Sequence, residues 1–159
     1  MPSKAKKPII NLLLTFMGQA YDKKAWHGTT LRGSLRGITY KEAMWRPSPK
    51  HHSIWELVKH CAYWKYVVRR KLTGEKRGSF ELNGSNWFRQ DSGANEATWK
   101  RDIALLQKEH NNLMKTVASL KSEKIKRMDM IYGIASHDLY HAGQIQLLKR
   151  LQRGGVVRK

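Results

Sequence analysis

Apolar residues recur along this chain at helical spacing, in stretches too long and too regular for strands. The first runs from about Lys7 to Tyr21, where Ile9, Leu13, Phe16 and Ala20, with Ile10, Leu14 and Met17, make one broad face. A shorter segment starts with Thr29 or Thr30 as N-cap and puts Leu31, Leu35 and Ile38 on one side. Arg46-Pro47-Ser48-Pro49 then imposes an extended turn. The second long helix begins at Ser53, with Glu56 as its capping-box partner, and continues to about Leu72. Its core stripe is Leu57, Cys61, Trp64, Val68 and Leu72, flanked by Ile54 and Val58.

From Thr73 to about Ser92 the composition shifts to Gly, Asn, Ser and charge, which reads as a long surface connection anchored by Trp87-Phe88. The third helix is expected from about Asn95 to Leu120, with Trp99, Ile103, Leu106, Leu113, Val117 and Leu120 inward and His110 in the gap. A basic link, Lys121 to Arg127, leads to a fourth helix over about Met128 to Arg153, which ends at Gly154-Gly155. Four such helices with one long crossover predict an all-α, four-helix bundle. One domain over residues 1–159 is expected, with basic tails at 1–7 and 154–159.

Composition sets further bounds. A chain of 159 residues buries roughly 68–70% of its unfolded surface, so it can build a core without disulfides or a structural metal. Its single cysteine, Cys61, rules out an internal disulfide framework and fits a reducing, cytoplasmic setting. The apolar run near the N-terminus, about Pro8 to Met17, is too short to span a bilayer and is read as a core helix. Lysine and arginine outnumber the acids 31 to 12, a net charge of +19, which favours phosphate polymers nonspecifically. The basic clusters at Lys65 to Arg77, Lys121 to Arg127 and Lys149 to Lys159 carry no nucleic-acid-binding signature and read as solvated faces.

The chemistry concentrates on the fourth helix. With His137 as zero, His141 lies at about 40°, Ile134 at 60°, Met130 and Leu148 at 20°, Gln144 at 340° and Leu151 at 320°, so both histidines point inward. Two unpaired imidazoles in a core are costly, and an i, i+4 pair on one helical face brings two ring nitrogens to one cation. The pair alone is a weak signal. Chance gives about 0.3 such pairs for this histidine content. A third ligand must come from another helix, and His60, at the edge of the second helix's core stripe, qualifies. The residues leave two readings open: a shared metal ion, or core histidines bonded to tyrosines and carbonyls.

Three stretches carry a family resemblance: Ala25-Trp26-His27-Gly28; Trp45-Arg46-Pro47 followed by His52-Ser-Ile-Trp-Glu-Leu-Val-Lys-His60 and Trp64; and His137-Asp-Leu-Tyr-His-Ala-Gly-Gln-Ile145. On these the chain resembles the DinB/YfiT-like superfamily. The resemblance implies an up-down-down-up bundle in which His60, His137 and His141 bind a divalent metal, Zn²⁺ or Ni²⁺. It also implies frequent homodimers acting on small molecules, either as metal-dependent hydrolases or as transferases and isomerases that use a low-molecular-weight thiol such as bacillithiol or mycothiol.

Neighbouring residues rank below these three. Glu56 could serve as an outer hydrogen-bond partner or general base, although its capping role explains it more simply. Tyr140 and Gln144 could orient a ligand or an imidazole. Asp138, about 100° from His137, is expected at the surface or as an inter-helix partner. Gly143 is read as permitting close helix approach, Cys61 as a plain core thiol, and His51 and His52 as loop residues. His27 and His110 are alternative fourth ligands. The expectation is a metal-dependent enzyme; the alternatives are a non-catalytic metal-binding scaffold or a basic nucleic-acid-binding helical protein.

Overall fold

The computed structural model describes residues 7–121 and 127–154. Nearly all of the two basic tails, residues 1–6 and 155–159, and most of the link after Lys121, residues 122–126, lie outside the described residues. Six α-helices are present among the described residues: α1 (Lys7–Tyr21), α2 (Leu31–Ser34), α3 (Tyr40–Met44), α4 (Ile54–Thr73), α5 (Glu96–Ala118) and α6 (Met128–Gln152). No strand occurs among the described residues. The four long helices form the bundle, α4 lying against α5 and α6, and α1 against α6 and α5.

Local chemistry sets their boundaries. Ser53 caps α4, its hydroxyl accepting from the Glu56 N–H while the Glu56 carboxylate accepts from the Ser53 N–H, so two orphan donors of the first turn are satisfied together. Asn95 and Thr98 make the same reciprocal box at α5. Gly74 closes α4 at φ 78°, a left-handed conformation that other residues adopt only with strain. Helix α3 is not anticipated by apolar periodicity. Its capping box, Thr39 with Glu42, starts a single turn that stops at extended Trp45 ahead of Pro47.

A polar layer lies between two of the three apolar clusters of the core. One apolar cluster gathers Trp55, Leu57, Trp99, Leu106 and Ile145; the other gathers Met17, Val68, Leu72, Leu113, Ile131 and Ile134. Between them, at the same level of α4, α5 and α6, sit buried Lys65, His110 and Asp138. Lys65 Nζ pairs with Asp138 Oδ2, and each side chain is only 1% exposed. An ion pair so enclosed persists because each charge would be stranded without the other.

This layer corrects the reading of α6. Its buried residues are Ile131, Ile134, Ala135, Asp138, His141, Ala142, Ile145 and Leu148, a stripe centred about 90° from His137 rather than on it. Asp138 therefore lies at the middle of the buried face, as an inter-helix partner, and not off the stripe. His137 lies at its edge and Leu151 is 53% exposed. Gly143 is also reassigned: it is exposed, and a Cβ built there meets nothing within 4 Å, so no close helix approach explains it.

Candidate metal centre

His60 projects from α4, and His137 and His141 from successive turns of α6. Their ring nitrogens converge. His137 Nε2 lies 3.1 Å from His60 Nε2 and 3.0 Å from His141 Nε2, and the three offer ligand atoms all within 4.8 Å of one another.

The outer nitrogens decide the protonation. His60 Nδ1 lies 2.9 Å from the main-chain carbonyl of Asn86, and His141 Nδ1 lies 2.6 Å from Gln144 Oε1. Each partner only accepts, so each Nδ1 carries the proton and each Nε2 presents a lone pair to the centre. His137 Nε2 can donate one proton at most, so lone pairs must face one another. Burial strengthens this arrangement by disfavouring the charged ring. It lowers His60 to about 4, against the opposing Asn86 bond, and His137 to about 3, helped by the neighbouring imidazoles. His141 is lowered for the same reason, with Gln144 opposing. Three neutral imidazoles, two of them held with their lone pairs inward, are the donor set a divalent cation takes. Nitrogens about 2.0–2.1 Å from a tetrahedral Zn²⁺ sit roughly 3.3 Å apart, close to the spacing found. The residues fit such an ion.

The long connection between α4 and α5 completes the surroundings. Asn86 adopts φ 62°, the one positive φ outside glycine among the described residues. This left-handed conformation, which asparagine tolerates better than most, aims its carbonyl at His60, while its Oδ1 accepts from Trp64 Nε1 at 2.9 Å. Trp87 next to it is sandwiched: its ring lies 3.8 Å from His60 on one side and 3.5 Å from His52 on the other, both nearly parallel. A cleft of about 440 Å³ reaches His141 and Gln144, and a second of about 200 Å³ reaches His137 beside Trp64 and Ile134.

The other candidates fall into place around this. Gln144 receives the His141 proton and passes its own Nε2–H to the Tyr140 hydroxyl at 3.1 Å, so the two form one chain that ends at an exposed phenol. Glu56 is buried and fully committed: Oε1 accepts from Arg46 and the Gln90 N–H, and Oε2 from the Ser53 N–H and His52 Nδ1. Burial raises its pKa, but these bonds, led by Arg46, outweigh burial and hold it below the usual value. Its place is structural. Cys61 is fully buried, and burial pushes its thiol well above the usual range, as for an inert core residue.

His27 is exposed, and His110 is buried elsewhere, stacked on Tyr21 at 3.7 Å. Neither joins the three. Asn86, Trp87 and His52 are the participants that sequence reasoning left out of the site. Trp87 appeared only as a loop anchor and His52 only as a loop residue; Asn86 sits in a Gly- and Ser-rich stretch that carries no ligand signal.

The bundle and this cluster define a helical protein with a buried three-histidine group compatible with a metal site. The DinB superfamily model matches residues 24–145, and the chain belongs to that superfamily. No curated protein and no solved structure gives a match. No helix among the described residues is long and apolar enough to cross a membrane.

Proposed function

We propose that the chain is a metal-dependent enzyme in which His60, His137 and His141 hold a divalent cation, Zn²⁺ or Ni²⁺, with at least one position left for a small molecule. The observation that carries this is the convergence of three Nε2 atoms, with the outer nitrogens of His60 and His141 tied to oxygen acceptors. Such an ion acts as a Lewis acid and lowers the pKa of water or a thiol, which serves either hydrolysis or thiol-dependent transfer.

The chain's own residues supply orientation. The Asn86 carbonyl and Gln144 fix two imidazoles in the ligating tautomer. Trp87 covers one face of His60, and Tyr140 places a hydroxyl on the wall of the cleft that opens at His141. Glu56 holds the start of α4 and the connecting loop, through Ser53, Gln90 and Arg46, in the arrangement the site requires.

Elemental analysis of untagged protein tests the reading. Near-stoichiometric metal in the wild type that vanishes in both His60→Ala and His137→Ala supports it. Equal metal content in all three proteins defeats it.

A further inference from the structure

The lining of the cleft beside His141 has two unlike parts. Along one, Leu57 and Leu148 form a floor, and Leu147 and Leu151, 55% and 53% exposed, extend it as an apolar wall. The other part is polar, with Lys50, His51, His52, Tyr140, His141 and Gln144, and no carboxylate is among the lining residues. Glu56, which bonds His52, is turned away into its own buried network and leaves no free oxygen for the cleft.

Single exposed leucines need no explanation, but a concave apolar wall that ends in convergent polar groups has the anatomy of a small-molecule site. The volume of about 440 Å³ lies within the usual range for one. Charge selects the sign of the occupant: Lys50 is the one formally charged side chain of the lining, with no acid beside it, on a chain of net charge +19. A second copy of this chain is a poorer occupant, since it would bring two strongly positive surfaces together. A strongly polar thiol would leave the leucine wall unmatched.

We propose that this cleft binds a small amphipathic anion, with an alkyl or aryl body along Leu147, Leu148 and Leu151 and its anionic head toward Lys50 and the Tyr140 hydroxyl. This deepens the metal-dependent reading and rests on it only for the chemistry done on the head group. Binding itself needs only the cleft.

Calorimetric titration with decanoate, decyltrimethylammonium and acetate, on protein as purified and after chelator dialysis, tests it. Decanoate is expected to bind at least about tenfold more tightly than the cation of equal chain length or the short anion, because it alone matches both parts of the lining. Leu147→Glu, at an exposed position, should weaken decanoate by about tenfold or more, and Leu147→Ala by less. Melting curves of both variants confirm that they fold.

Equal affinity for decanoate and the ammonium overturns the inference, as does decanoate affinity unchanged in Leu147→Glu. A wild type that sediments as a dimer, is split by Leu147→Glu and ignores decanoate also overturns it, because the wall is then an interface. Metal loading on the three histidines without decanoate binding removes this inference alone. Decanoate binding by a protein that never loads metal removes the metal reading alone.

Discussion

The indole of Trp87 lies against the imidazole of His60, their centroids 3.8 Å apart and their planes 8° from parallel. A residue from the long connection thus fixes the face of the α4 histidine. Trp87→Ala is expected to cost about 1–2 kcal/mol, since an aromatic pair contributes about 0.5–1.5 kcal/mol beyond burial and the ring is 37% exposed. Metal affinity should fall as His60 gains freedom, and Trp87→Phe should restore most of it. Thermal melts and competitive Zn²⁺ titration of the variants provide the check.

Gln144 holds His141 from the outside through one hydrogen bond at 2.6 Å. Gln144→Leu keeps the volume and removes the acceptor. Partners of this kind contribute about 10–100-fold to metal affinity, so the affinity should drop by that factor while stoichiometry at saturating metal stays unchanged. An unchanged dissociation constant would show that His141 is oriented by packing alone.

The buried pair Lys65 and Asp138 joins α4 to α6 beside the site. Lys65→Met alone should cost about 3–5 kcal/mol, because Asp138 is then left charged or must take up a proton in the core. Adding Asp138→Leu should recover most of that loss. Urea unfolding of the two single variants and the double variant measures the coupling; purely additive losses would contradict the pairing.

Acid sensitivity has an identifiable source outside the site. Burial, aided by the charges of Lys65 and Lys23, depresses His110 to about 3. The unfolded chain takes up that proton near pH 6.5 while the folded one does not, so stability is fully present above 6.5 and is lost as pH falls toward 3. His110→Phe retains a ring against Tyr21 and removes the titration. The slope of stability against pH in that window should shrink by about 1.4 kcal/mol per pH unit, read from denaturation midpoints at several pH values. An unaltered slope would assign the acid response to the three site histidines instead, since His60 and His137 are depressed in the same direction.

Much of the bundle is legible in the order of residues. Helix α1 begins and ends where the apolar face does, α4 starts at the Ser53 and Glu56 box, and Asn95 opens α5. These features act within one or two turns, so a linear reading captures them. The same holds for His137 and His141, whose spacing on a helix suffices to place them on adjoining turns.

What the chain order could not settle depends on partners far away in sequence. The rotation of α6 is decided by Asp138, which reads as either a surface residue or an inter-helix partner until Lys65, 73 positions earlier, supplies its counter-charge inside the core. The carbonyl that sets the tautomer of His60 comes from Asn86, 26 residues on, in a loop with no periodicity to read. Sequence alone determined the four long helices and named the three imidazoles, His137 and His141 by their spacing on one helix and His60 by its place at the edge of a core stripe and by the family resemblance. Tertiary packing decided which way α6 faces, which nitrogens carry protons and what stacks over them, because buried charge and hydrogen-bond direction depend on neighbours that only folding brings near.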